Sequence, residues 1–146
     1  MKTQLLSLFV LAGGILVGGG LRAQAQIAED VKVNVPFSFH AAGKEYPAGN
    51  YTIRTVGVED DSLMEIQSAD GHTAGVFETE HSDINGMPKN NELIFNQMGD
   101  EYFLFKIVDA DNGMGAEIFD PNYTGKSQAA AGATSQKHIP ALSRIP

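Results

Sequence analysis

The sequence predicts an all-β protein, a small antiparallel β-sandwich or barrel of about seven strands. Three observations lead to this fold class. Short runs rich in β-branched and aromatic residues alternate between apolar and polar positions, as half-buried strands do. Glycine, proline, asparagine and aspartate separate these runs at intervals of about ten residues. Before Pro121 no stretch of the sequence has the apolar spacing of a helix.

The first 25 residues have the pattern of a cleavable signal peptide. A short basic start precedes the apolar run Leu5 to Val17, and Ala23-Gln24-Ala25 matches an A-x-A cleavage site. The run is shorter than the roughly 20 residues that a membrane-spanning helix needs. We therefore expect cleavage near Ala25 and a secreted or periplasmic protein without stable membrane insertion.

The stretch Val31 to Arg54 predicts the first two strands. Odd-numbered residues from Val31 to Phe39, Phe37 among them, are apolar and are expected to face the core. Pro36 cannot donate to a strand ladder, so it predicts an edge position or a bulge.

The turn from Tyr46 to Asn50 leads into the second strand, where Tyr51 and Ile53 resume the alternation. Pro47 fixes its own φ, and Gly49 permits a positive φ. We expect this turn to depend on those two backbone properties.

The same pattern predicts five more strands, followed by a tail. The strands are Leu63–Gln67, His72–Glu80, Leu93–Met98, Glu101–Val108 and Met114–Phe119. Residues 26–123 are thus expected to form the β domain. Residues 124–146 are rich in alanine, glycine, serine, threonine and glutamine, so we expect a flexible, disordered tail.

Charge and cysteine content exclude several function classes. Residues 26–120 hold 18 acidic and five basic side chains, a net charge of −13, whereas residues 121–146 carry +3. An acidic body disfavours binding to nucleic acid. The absence of cysteine excludes a disulfide scaffold and thiolate metal sites. An exposed edge near Pro36 could instead pair with a strand from an envelope component or a second copy.

Several short motifs resemble those of a group of small exported bacterial proteins. They are PFSF at residues 36–39, GK at 43–44, YPAGNY at 46–51, LIFN at 93–96 and GDEYFL at 99–104. The resemblance extends from Val31 to about Phe119. It implies export and an all-β fold, and it supplies no catalytic residue, cofactor or partner.

The sequence assigns no catalytic residue and no cofactor. It has no cysteine nucleophile and no G-x-S-x-G elbow, although folding could still bring a serine, a histidine and an acid together. Seven aromatic residues could line a ligand groove, but they equally suit the core of a small β domain. They are Phe37, Phe39, Tyr51, Phe95, Tyr102, Phe103 and Phe105.

Six imidazole and carboxylate side chains are candidate metal ligands. They are His72, Glu78, Glu80, His81, Asp109 and Asp111. Alternation puts the first three on one strand face, and the two aspartates lie in a segment that partly matches a calcium loop. A solvated strand face and a hairpin turn explain the same residues. The sequence thus favours an exported, non-catalytic binding or interaction module, with a small hydrolase or a weak divalent-metal-binding protein as alternatives.

Overall fold

The computed structural model describes residues 30–56, 62–72, 74–84, 86, 88–123 and 135–142. The predicted signal peptide lies outside these residues. Strands make up most of the described part of the chain, and its only helix is one turn at 121–123, so the all-β prediction is confirmed. No helix in that part is long and apolar enough to cross a membrane.

Ten strands are present in the described residues. They are β1 (Val31–Val35), β2 (Phe39–Ala41), β3 (Lys44–Tyr46), β4 (Gly49–Thr55), β5 (Leu63–Ser68), β6 (Ala74–Ser82), β7 (Glu92–Met98), β8 (Glu101–Asp109), β9 (Met114–Ile118) and β10 (Ser135–Pro140). The three strands beyond the predicted seven arise from a break in the first predicted strand, a short strand inside the predicted hairpin connection and a strand in the predicted tail.

The strands form one large open sheet with the order β1-β4-β5-β6-β9-β8-β2-β3, and β7 pairs with both β8 and β10. All pairs are antiparallel except the contact of β2 with β8 at His40 and Phe103, which is parallel. Strand β6 joins the two halves of the sheet. Its first residues pair with β5, and Thr79 to Ser82 pair with β9.

Pro36 lies at a strand break, which corrects the prediction of one continuous strand up to Phe39. Val35 is the last residue of β1 paired with β4, and the chain then crosses to the other half of the sheet, where Phe39 pairs with Tyr46 of β3. Proline has no N–H to offer a ladder, so the break falls where no hydrogen bond is lost.

The core fills the space between the two halves of the sheet. The predicted register of the first stretch is confirmed, since Val31, Val33, Val35 and Phe39 are buried, whereas Phe37 is half-buried. The other buried apolar side chains of this cluster come from strands in both halves. They are Ala41, Tyr46, Tyr51, Ile53, Met64, Ile66, Phe77, Leu93, Phe95, Leu104, Ile107, Ala116 and Ile118.

The prediction of a disordered tail is wrong for residues 135–142; residues 124–134 and 143–146 lie outside the described part. Strand β10 pairs with β7 from Ser135 opposite Gln97 to Pro140 opposite Glu92. Amino-acid composition reflects only how much side-chain area a segment can bury. A sheet edge in addition offers backbone hydrogen bonds to any extended segment.

Candidate functional site

The outer edge of β7, together with the segment that covers it, is the candidate site. The N–H of Ala141 donates to the carbonyl of Asn91 at 2.7 Å, in continuous register with β10. Backbone groups of successive strand residues point to opposite sides. The N–H groups of Lys137 and Ile139 therefore face β7, and that of His138 faces away.

An aromatic pair lies under the odd-numbered side chains of β10. The rings of Phe37 and Tyr102 stack with centroids 4.0 Å apart. The Lys137 Nζ lies 5.1 Å from the Phe37 centroid and 5.7 Å from that of Tyr102. Two residues later, Ile139 packs against the edge of the core. A cation over aromatic rings near the surface contributes about 0.5–1 kcal/mol, so this pair can discriminate between bound segments.

The even-numbered side chains of β10 make polar contacts with β7. His138 Nδ1 lies 3.0 Å from Glu92 Oε1, and Gln136 Nε2 donates to Asn96 Oδ1 at 3.2 Å. Pro140 also occupies an even position, so its missing donor falls on the side away from β7. The sequence of β10 thus fits the edge on both of its faces.

Strand β10 is held mainly by its backbone. Of its six residues only Ile139 is partly buried, and the other five are exposed. Beyond the strand, the N–H of Leu142 donates to the carbonyl of Lys32 in β1 at 2.7 Å. The C-terminal segment therefore links the β7 edge to β1, and its geometry is that of β-strand addition.

The motif around Tyr46 to Tyr51 has a structural role in the fold. The Tyr51 hydroxyl donates to the carbonyl of Pro47 at 2.5 Å, which ties the turn to β4. Gly49 is the first residue of β4 and is not among the positive-φ residues, so the expected positive φ is wrong there. The positive φ values occur earlier, at Ala42 (48°) and Gly43 (83°), because the tight turn of this region joins β2 to β3.

The candidate metal ligands are dispersed. Within the described residues no three histidine, cysteine, aspartate or glutamate side chains come close enough to hold a metal ion. His72 lies in the turn before β6, and Glu78, Glu80 and His81 are exposed on β6. The prediction fails because His72 precedes the strand and because His81 points to the face opposite Glu78 and Glu80.

The two aspartates of the calcium-like segment take part in a hairpin. Asp109 is buried, and its carboxylate accepts hydrogen bonds from the backbone N–H (3.3 Å) and side-chain amide (2.7 Å) of Asn112. Asp111 is exposed in the turn. The geometry favours the hairpin interpretation of this segment.

Asp120 is a buried acid that the sequence analysis missed. Its carboxylate accepts the N–H of Gly43 at 2.8 Å, that of Asn122 at 2.8 Å and that of Tyr123 at 3.3 Å. The signal in the sequence was Asp120-Pro121, an N-cap followed by proline at the first helical position. This side chain ties the β2–β3 turn to the helical turn at 121–123.

Three of the shifted pKa values belong to side chains of the core and of one turn. Burial, followed by the neighbouring Tyr51, raises the pKa of Tyr46, and burial likewise raises the pKa of Tyr51. The hydroxyl of Ser68 and then the backbone N–H of His72 lower the pKa of Asp70. These shifts follow from packing and turn hydrogen bonds, so they do not point to a proton-transfer site.

Comparison with known proteins finds no match. Neither a family model, nor a curated protein, nor a solved structure matches this chain. The resemblance to small exported bacterial proteins therefore stays a prediction. The inference about function depends on the β7 edge.

Proposed function

We propose that this chain is a non-catalytic interaction module of the cell envelope, which holds an extended peptide segment as an added strand on β7. The supporting observation is the pairing of Ser135–Pro140 with Glu92–Gln97, made by a strand whose side chains are almost all exposed. Location in the envelope rests on the signal-peptide pattern of residues 1–25.

Recognition by this edge would combine general affinity with local selection. Backbone hydrogen bonds can form with any extended chain and provide affinity, whereas pockets for alternate side chains select among sequences. The Phe37–Tyr102 pair favours a cation in the bound segment. The edge of the core favours an apolar residue two positions later, as Lys137 and Ile139 illustrate. The module would therefore select extended segments with this spacing.

The alternatives have weaker support. A metal-binding function needs several ligands in one place, and the described residues bring no three together. A hydrolase needs a nucleophile or a pair of acids with assigned roles, and no observation in the described residues assigns them. The interaction module is the function that the geometry supports best.

The test weakens the pairing of β10 with β7 by mutation and adds residues 135–142 as a separate peptide. In the full-length Lys137→Pro variant, β10 loses a donor that faces β7, so the edge becomes accessible. A fluorescent peptide of residues 135–142 should bind this variant at least about tenfold more tightly than it binds His138→Pro, in which the lost backbone N–H faces away from β7. Lys137→Ala controls for the side chain. Equal peptide affinity for the two proline variants would refute the proposal.

Two versions of this peptide, each methylated at one backbone nitrogen, test the mode of binding. Methylation of the backbone nitrogen at Ile139 removes a donor that faces β7, whereas methylation at His138 removes one that faces away. With the Lys137→Pro variant, the first peptide should lose binding and the second should keep it. If both peptides bind alike, the segment is not held as a strand in this register.

A further inference from the structure

The donor strand and the acceptor edge belong to the same chain and are joined by a long connection. Residues 124–134 link Tyr123 to Ser135, and ten of these eleven residues are alanine, glycine, serine, threonine or glutamine, the exception being Lys126. A random coil of eleven residues has an end-to-end distance of roughly 5–6 Å times the square root of its residue number, near 18 Å. The length of the connection alone therefore does not dictate which copy of β7 receives the strand.

Strand β10 can leave the sheet without unfolding the core. Its only partly buried side chain is Ile139, and the large buried side chains belong to β1–β9. Segments with few buried contacts open locally at a free energy below that of global unfolding. The body therefore keeps its acceptor edge while the strand is detached.

The vacated edge would be a strong acceptor for another strand. Glu92–Gln97 would expose unpaired backbone groups, while Leu93 and Phe95 on the same strand lie fully buried in the core. An unpaired edge backed by a packed core is a template for strand pairing. The segment shown to fit this edge is Ser135–Pro140, so a second copy carries a matching donor.

We propose that two copies of this chain exchange their C-terminal strands, each β10 pairing with β7 of the other copy. This inference rests on the proposed function, because it names the partner of the same edge. Reciprocal exchange repeats every contact between β10 and β7 across the dimer. Because both edges are filled, the exchanged form closes as a two-fold dimer.

Concentration and salt should control the exchange. Because the connection joins the strand to its own body, the strand meets its own edge at an effective concentration on the order of millimolar. Exchange is therefore expected at high local protein concentration. Each copy also carries a net charge of −8, so the copies repel one another at low ionic strength. Added salt screens this repulsion and should raise the dimer fraction.

Cysteine trapping tests the exchange in the full-length chain, which has no cysteine of its own. Ile94 and His138 are opposite each other in the β7–β10 register. Such a non-hydrogen-bonded pair has Cα atoms about 4.5 Å apart, which a disulfide can bridge. Ile94→Cys protein is mixed with His138→Cys protein and oxidised. Glu78→Cys, an exposed position on β6, replaces Ile94→Cys in the matched control.

We expect a disulfide between positions 94 and 138 of different copies, identified by peptide mass spectrometry. Its yield should rise about tenfold for a tenfold increase in concentration below the millimolar range, and an excess of the peptide 135–142 should suppress it. The control pair should give little product and no response to the peptide. A yield no higher than that of the control would overturn the exchange.

Two comparisons separate this inference from the proposed function. The double variant Ile94→Cys/His138→Cys should close a disulfide within one chain, and its failure to do so would overturn the register on which both proposals depend. If the peptide binds the Lys137→Pro variant but copies give no 94–138 disulfide, the exchange is refuted and the proposed function stands. If the peptide does not bind, both are refuted.

Discussion

Ala42 adopts a φ of 48° in the turn between β2 and β3, and Gly43 follows with a φ of 83°. Two successive positive φ values are typical of the type I′ hairpin turn, for which Asn-Gly is the preferred sequence. An alanine in this region is strained by roughly 1–2 kcal/mol. The carboxylate of Asp120 accepts a hydrogen bond from the N–H of Gly43 and so helps to hold the turn in this conformation.

Replacing Ala42 by asparagine should therefore stabilise the protein. We expect Ala42→Asn to raise the free energy of unfolding by about 0.5–1 kcal/mol, since asparagine tolerates this conformation. Urea denaturation measures the change. Gly43→Ala is the opposite control and should lower stability, because it introduces a side chain at positive φ. A neutral or destabilising Ala42→Asn would contradict the assigned turn geometry.

Gly75 makes room for the hydroxyl of Tyr46. A Cβ atom on Gly75 would overlap the Tyr46 hydroxyl oxygen and would lie 3.3 Å from the ring carbon that bears it. Tyr46 is only 1% exposed, so its ring has no free space into which it can move. Gly75→Ala should thus destabilise the protein by about 1–3 kcal/mol through overpacking.

Removing the hydroxyl should rescue that variant. In Gly75→Ala/Tyr46→Phe the overlapping atom is absent, so the loss of stability in the double variant should be clearly smaller than the sum of the two single losses. Thermal melts of the four proteins complete the cycle. Additive losses would show that the two residues are not in contact.

At the scale of elements, the donors of β10 alternate between paired and outward positions. Lys137→Pro, compared with Lys137→Ala, removes an N–H that faces β7 and should expose the amides of β7 to hydrogen exchange. His138→Pro, compared with His138→Ala, should leave that protection nearly unchanged. Hydrogen exchange resolved by peptide mass spectrometry gives the comparison. If the two proline variants increase hydrogen exchange in β7 equally, the assignment of which β10 N–H groups face β7 is wrong.

Strands with their own apolar face were predictable from the sequence. The register of Val31–Val35 followed from alternation, and the positions of β4 to β9 followed from apolar runs separated by turn residues, although β8 buries residues of both faces. The break at Pro36 was harder to see, since Phe37 and Phe39 continue the alternation across it. Which half of the sheet a residue joins depends on distant partners such as Phe103.

Strand β10 and the candidate site could not be predicted in this way. The segment SQKHIP has one strongly apolar residue, so its pattern predicts no buried face. Its partners, Glu92, Asn96 and the Phe37–Tyr102 pair, lie tens of residues away in the sequence. The metal candidates failed for the converse reason, because residues close in sequence belong to different elements, with His72 in a turn before β6 and Asp109 at the end of β8.

At the scale of the whole molecule, the C-terminal segment bridges two strands that are far apart in the sheet order. Ala141 donates to Asn91 beside β7, and Leu142 donates to Lys32 in β1. Ile139 and Ala141 also pack against the core. Ordering the segment costs on the order of 1 kcal/mol per residue in backbone entropy. Pairing along six residues, apolar packing and the contacts of Lys137 and His138 oppose that cost.

Truncation measures the balance of these contributions. Because the segment is ordered on the body, its contacts outweigh the entropy, and deleting residues 124–146 should lower the melting midpoint by several degrees, as expected for roughly 1 kcal/mol in a domain of this size. Deleting only residues 143–146 is the control and should change the midpoint little, since the contacts of β10 and Leu142 remain. A midpoint unchanged by the longer deletion would mean that the strand adds nothing to the stability of the body.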